Sequence, residues 1–325
     1  VQGAASPAYP HARQRVPVRS RSRAGCDRYF CAAPTASRKA AIIEVAQGRP
    51  LECSLGQNQG RSPTESEESK IVIASWNVNS IRARIDHVTI WLQAHAPDVL
   101  LLQELKTPEF PNAIFEDLGY HTAAVTQKAY NGVAILSRKP MEIVSTTLAG
   151  DEADSHARFL EVLIDGLRIV NIYLPNGNPI GTEKFDYKLA WMDRLTLQLH
   201  AWLRSDIPTI IGGDFNVIPE DIDCHKPSAW IKDALFQPES RSRYRDYQEL
   251  GYTDAFRALH PGEPGQFTFW DYFRDAFAHN RGIRIDHFLL SPVVASRLKS
   301  CTIDKTPRAQ LKPSDHTPIM ITLAD

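Results

Sequence analysis

Apolar residues fall into short dense clusters separated by polar turns, and this pattern begins abruptly at Lys70. From there strands and helices are predicted to alternate. Ile71–Trp76, Val99–Gln103 and Thr209–Gly213 are apolar runs of strand length, as expected for strands buried on both faces. Gly132–Ser137, Phe159–Ile164 and Leu167–Tyr173 read the same way, the last two joined by a tight Asp165-Gly166 turn. Arg284–Leu290 and Pro318–Leu323 complete the predicted strands. The segment 81–95 places Ile81, Ile85, Val88 and Leu92 on one helical face, and Pro97 ends it. A longer helix over 183–203 aligns Phe185, Leu189, Met192, Leu195, Leu199 and Leu203. Hairpins mixed with long helices point to an α/β protein, sheets packed together with helices outside. No internal repeat is visible.

Residues 1–69 lack any such period and read as a disordered basic extension, with 70–325 as one catalytic-sized domain. The first forty residues hold seven Arg, one Lys and a single acid, Asp27. That composition fits an organellar targeting segment, a basic tail, or sequence upstream of a later start. The alternative expectation for location is the cytoplasm of a bacterium, near the nucleoid. The formal charge of −1 hides a balance of +5 over residues 1–70 and −6 over the rest. An acidic domain argues against a coat protein that binds nucleic acid by charge alone. It leaves room for an enzyme that grips phosphates locally. The apolar runs are too short to span a bilayer, so no membrane role is expected. Five cysteines at irregular spacing form neither a disulfide framework nor a CxxC metal site.

Chemistry-bearing residues recur where buried strands end. Asn77 and Asn79 follow the first strand, Glu104 follows 99–103, and Asp214 and Asn216 follow 209–213. Asp286 lies in 284–290, and Asp315-His316 precedes the last strand. One such residue is ordinarily a turn or cap. Five positions on strands that converge on one rim suggest an active site. Carboxylates and amides without a Cys/His cluster favour a hard cation such as Mg²⁺ or Mn²⁺. No nucleophile elbow and no P-loop is present. Phosphodiester hydrolysis uses all the pieces.

The blocks SWNVNSIRAR (75–84), DVLLLQELK (98–106), NGVAILS (131–137), IYLPNG (172–177), GGDFNVIP (212–219), FTFWDY (267–272), NRGIRIDHFLLS (280–291) and KPSDHTPI (312–319) occur in this order. Together they resemble the exodeoxyribonuclease III family of apurinic/apyrimidinic endonucleases, in the endonuclease/exonuclease/phosphatase superfamily. The resemblance spans 70–325 and implies a four-layer α/β sandwich, two mixed sheets face to face with helices outside. It implies Mg²⁺-dependent hydrolysis 5′ to abasic sites in duplex DNA, with 3′→5′ exonuclease and 3′-phosphatase activities on blocked 3′ ends, by a monomer.

By the same resemblance Glu104 is the main metal carboxylate, helped by Asn77 and Asp315. Asp214 handles the attacking water and Asn216 helps place it. His316 contacts the scissile phosphate, Asp286 holds its ring, and Tyr173 lies beside that phosphate. Phe269, Trp270 and Ile283 or Ile285 are implied at the pocket for a sugar without its base. Asn79 is implied near the metal through water and in substrate binding; Lys184, Arg82, Arg84, Arg281 and Arg284 are candidate phosphate contacts in substrate binding, with a solvated charged face as the rival. The bland rivals are a helix cap for Asn77, a strand aromatic for Tyr173, and a surface ion pair for Asp286. One departure stands out: Leu105 follows Gln103-Glu104 where the family commonly has Thr, removing a hydroxyl near the metal. The other function classes are a phosphatase or less specific nuclease of the same superfamily, and a non-catalytic DNA-binding relative.

Overall fold

The computed structural model describes residues 70–325. The readings of residues 1–69 as an extension or targeting segment lie outside the described residues.

The chain runs β1 (Lys70–Asn77), α1 (Ile81–His95), β2 (Val99–Gln103), α2 (Asn112–Glu116), β3 (His121–Val125) and β4 (Val133–Ser137). It continues with β5 (Glu142–Ser145), β6 (Phe159–Ile164), β7 (Leu167–Tyr173), α3 (Glu183–Leu203) and β8 (Thr209–Asp214). Then come α4 (Pro238–Glu249), β9 (Thr253–Asp254), α5 (Ala255–Leu259), β10 (Asp286–Leu290), α6 (Pro292–Ala295), β11 (Leu298–Ile303) and β12 (Ile319–Ala324). The strands form two six-stranded sheets, ordered β11-β12-β1-β2-β4-β3 and β5-β6-β7-β8-β10-β9. In each, the two central strands run parallel, β1 with β2 and β7 with β8, and the other pairs are antiparallel. A parallel pair needs a crossover, which α1 and α3 supply. The two sheets therefore share one topology that the sequence does not betray as a repeat.

Packing follows from the alternation of side chains along strands buried on both faces. Ile73, Leu101 and Ile135 of the first sheet meet Leu160, Ile169, Ile210 and Phe288 of the second. Ala74, Leu100 and Leu102 point the other way, onto Ile81, Val88, Trp91 and Leu92. Val170, Ile172 and Ile211 pack on Trp191, Met192, Leu195 and Leu199. The result is helix, sheet, sheet, helix, as the resemblance implies. Gly212 lets the sheets approach, since a Cβ there would lie 2.6 Å from Leu101 Cδ1 of the opposite sheet. Near the site, a buried polar bridge fixes their alignment. Gln103 Nε2 donates to Asn171 Oδ1 at 2.8 Å, and Asn171 Nδ2 donates to the Leu102 and Ala134 carbonyls. Paired amides inside an apolar core resist sliding, because any other register breaks these three hydrogen bonds.

The predicted Asp165-Gly166 turn has φ values of 48° and 77°, as a two-residue hairpin turn requires. Two expectations need correction. The predicted strand at 284–290 begins only at Asp286, because Arg284 is occupied by buried carboxylates. On α3 the core face includes Lys188, Trp191 and Trp202, while Leu189 and Leu203 are only half-buried.

Candidate active site

The parallel central pairs of both sheets end at the same rim. Asn77 stands opposite Gln103 in register, and Tyr173 stands opposite Asp214. Turns just beyond those ends place the remaining groups. Asn79, Glu104 and Asn216 adopt left-handed backbone conformations, with φ of 44°, 55° and 47°. Such conformations are costly for residues other than glycine and persist where the surroundings fix them.

At the centre, Asn77 bridges the sheets. Its Nδ2 donates to Glu104 Oε1 and to Asp214 Oδ2, both at 2.9 Å, while its Oδ1 accepts the Asn79 N–H. This corrects its expected role: the amide hydrogens, not the oxygen, face the two carboxylates, so Asn77 spaces them. Lys106 Nζ lies 2.6 Å from Glu104 Oε2. Burial would raise the Glu104 pKa, but the Lys106 charge and the Asn77 hydrogen bond outweigh it and hold the group ionised. Asp214 is raised above the ordinary carboxylate range, first by burial and then by Asp286 and Glu104, with His316 opposing.

His316 Nδ1 donates to Asp286 Oδ2 at 2.8 Å, and its Nε2 sits 3.8 Å from Asp214 Oδ2. Burial alone would lower its pKa; Asp286 and then Asp214 reverse that and raise it to about 10. The ring is an imidazolium at neutral pH. Tyr173 has its hydroxyl pushed well above 10, by burial and by the charges of Glu104 and Asp214, so it stays a neutral donor. Asn216 donates its backbone N–H to Asp214 Oδ1 at 2.9 Å and accepts from Asn176 Nδ2 at 3.0 Å.

These groups open into a cavity of about 370 Å³ that contains Glu104, Tyr173, Asp214, Asn216, Asp315 and His316 on its polar side. Phe269, Ile283, Ile285, Leu235 and Trp230 form an apolar wall. Two expected residues are elsewhere. Trp270 is fully buried, packs on Phe267 and Phe277, and donates its Nε1–H to Asn280 Oδ1, so it supports the wall from behind. Arg284 is also fully buried, against Asp223 and Asp254, and cannot reach a phosphate. Asn79 spends both ends of its amide on Asp315, Tyr272 and Lys106, which orients those groups. Lys184 lines a neighbouring groove of about 540 Å³, which shares Tyr173, Asn176 and Asn178 with the cavity. Sequence reasoning missed Trp230, Asp233 and Leu235, which lie in a loop with no motif; Asn176 was visible inside LPNG.

A metal fits this donor set. Glu104, Asp214 and His316 each bring one potential ligand atom within 4.8 Å of the others. Because His316 is held protonated by Asp286, the oxygens of Glu104 and Asp214 are the available donors, with Asp315 in the same wall. One oxygen of Asp286 is buried without a hydrogen-bond partner, a further sign of excess negative charge. Oxygen donors of this kind favour a hard divalent cation.

The family model described as the endonuclease/exonuclease/phosphatase family matches residues 74–316. The chain belongs to this family. It is 34% identical over 258 residues to exodeoxyribonuclease III of Haemophilus influenzae, covering 75% of this chain and 97% of that one. An AP endonuclease from Archaeoglobus fulgidus superposes with a TM-score of 0.75 at 38% identity, covering 78% of this chain and all of that one. The 3′ phosphatase NExo from Neisseria, bound to product DNA hairpin, does so with a TM-score of 0.75 at 35% identity, over 77% and 98%. Within the family, the chain is a phosphodiester hydrolase of the exodeoxyribonuclease III type, a DNA repair nuclease whose chemistry is metal-dependent.

Proposed function

We propose that this nuclease acts as a monomer and hydrolyses the phosphodiester 5′ to abasic sites in duplex DNA, with Mg²⁺ as its cation. The observation that carries the reading is the pairing, in one cavity, of an imidazolium and a cluster of carboxylates with an apolar wall. An unpaired sugar costs least to extrude and fits an apolar wall that an intact base would overfill. Glu104, with Asp214 or Asp315, would hold the divalent cation, which would supply positive charge for the phosphate oxygens. Asp214 accepts a proton from water, whose oxygen attacks phosphorus while the P–O3′ bond breaks. The products are a 3′-hydroxyl and a 5′-deoxyribose phosphate. Asn216 and Asn176 steady the water and the carboxylate. His316 donates from Nε2 to a phosphate oxygen as charge develops, and Asp286 keeps its ring turned and charged. Tyr173 offers a neutral O–H from beside Glu104.

A 3′-phosphate or 3′-terminal nucleotide presents the same phosphorus to the same groups, and the relatedness to a 3′ phosphatase favours this second reading. One experiment separates them. Duplexes carrying an internal abasic analogue, a 3′-phosphate or neither are incubated with Mg²⁺ or chelator. Single cuts 5′ to the lesion, lost with chelator, are expected. Release of phosphate from the 3′ end with the internal lesion left intact would replace the first reading with the second.

A further inference from the structure

The core face of α3 carries one residue that no apolar core requires. Lys188 is 0% exposed, between Phe185 and Met192 on the side that packs against the second sheet. A buried ammonium is costly unless its hydrogens are accepted. Its partners among the described residues are two main-chain carbonyls, Pro175 O at 3.1 Å and Asn216 O at 2.6 Å. Those carbonyls belong to the segments leaving β7 and β8, the parallel pair that ends at the candidate site. Burial lowers its pKa to about 7, and the charges of Asp214, in the site, and Asp233, in the cavity wall, oppose that fall. The chain is also shaped around the lysine stem. Gly177 has φ of 86°, and a Cβ there would lie 2.5 Å from Lys188 Cδ. Asn176, next to Pro175, donates to Asn216, whose own N–H donates to Asp214.

We propose that Lys188 is a positioning residue, a buried amino group whose hydrogens tie the exits of β7 and β8 together and so set Asn176, Asn216 and Asp214 against the phosphate. It touches no substrate. The inference deepens the nuclease reading and rests on it for the choice of substrate, so its test has one arm that needs no activity.

Lys188→Met keeps the length of the side chain and removes the donors; Lys188→Gln keeps a donor without the charge. In the activity-free arm, amide hydrogen exchange at 176–178 and 214–217 is expected to speed up about tenfold or more in Lys188→Met, with 77–79 and 104–106 unchanged. In the activity arm, kcat on the abasic-analogue duplex is expected to fall about 10- to 100-fold while KM moves less than twofold, and Lys188→Gln falls between. Should Lys188→Met not fold, Lys188→Gln decides both arms. Unchanged exchange at the two segments overturns the inference, as does a folded variant with the wild-type kcat. Wild-type protein that leaves every duplex uncut fails the nuclease reading instead, and the exchange arm still decides this one.

Discussion

Two buried charge clusters lie on either side of Ile285, and they are built on opposite principles. In one, Arg284 and Arg257 face Asp223 and Asp254, two cations against two anions. Burial would raise both carboxyl pKa values, but the Arg284 charge outweighs it and lowers them. His287 completes this cluster as a neutral ring, its pKa lowered to about 4 by burial and by Arg284. In the other, Glu104, Asp214, Asp286 and Asp315 face, among the described residues, only Lys106 and His316 as cations in direct contact. Here Asp214 is raised, and an oxygen of Asp286 has no partner. The first cluster is balanced in charge, two cations to two anions, and anchors the 220–236 loop that carries part of the cavity wall. The second is incomplete as protein, which is what a site awaiting a cation and a substrate requires.

The largest test of this contrast is Asp214→Asn. It should lower kcat by roughly 10²–10⁴-fold while leaving the thermal midpoint equal or higher, since it relieves like-charge repulsion. Steady-state cleavage and a melting curve on one preparation check both halves. Arg284→Met should do the reverse to the balanced cluster. Leaving Asp254 without a cation, and Asp223 with Arg257 alone, costs about 3–5 kcal/mol, seen as a lower urea midpoint.

Metal addition comes next. Excess Mg²⁺ or Mn²⁺, at a hundred times its dissociation constant, should stabilise the wild type by about 2.7 kcal/mol and leave Glu104→Gln unmoved. An equal shift in both proteins would place the cation elsewhere. The smallest expected effect is in pH. His316 gains proton affinity on folding, so its stabilisation is full below the unfolded value near 6.5 and is lost as pH rises through about 10. Asp223 and Asp254 have lowered values, so their contribution is full above 3.8 and is lost as pH falls below it. In chelator, unfolding titrations should therefore show an alkaline loss that His316→Gln removes and an acid loss that it does not.

The strands legible in the sequence are the eight interior ones. The four it hid, β3, β5, β9 and β11, are the four sheet edges. An edge strand such as Glu142–Ser145 or Leu298–Ile303 mixes polar with apolar residues and carries no dense run. Helix α4 was hidden for a related reason: its sequence is charged, and Tyr244 and Tyr247 carry its burial. In the site, the residues at strand ends were legible because strong motifs flank them. Trp270 misled because an aromatic in a pocket and an aromatic behind a pocket look alike in a sequence. Lys188 was invisible because a lysine on a helix reads as solvent-facing, and only the packing shows it pointing inward.

The order of strands in the first sheet has a consequence for how this molecule is made. Strand β12 lies between β11 and β1, and Asp315-His316 immediately precedes it. A ribosome delivers residues 315–324 after all the other described elements, and domains fold as units once their parts are present. Until then β1 lacks an edge-on neighbour and the cavity lacks its imidazolium. The strand that closes the sheet thus arrives together with the reagent that arms it. A chain that stops short of residue 315 has Glu104 and Asp214 but not the imidazolium that faces them.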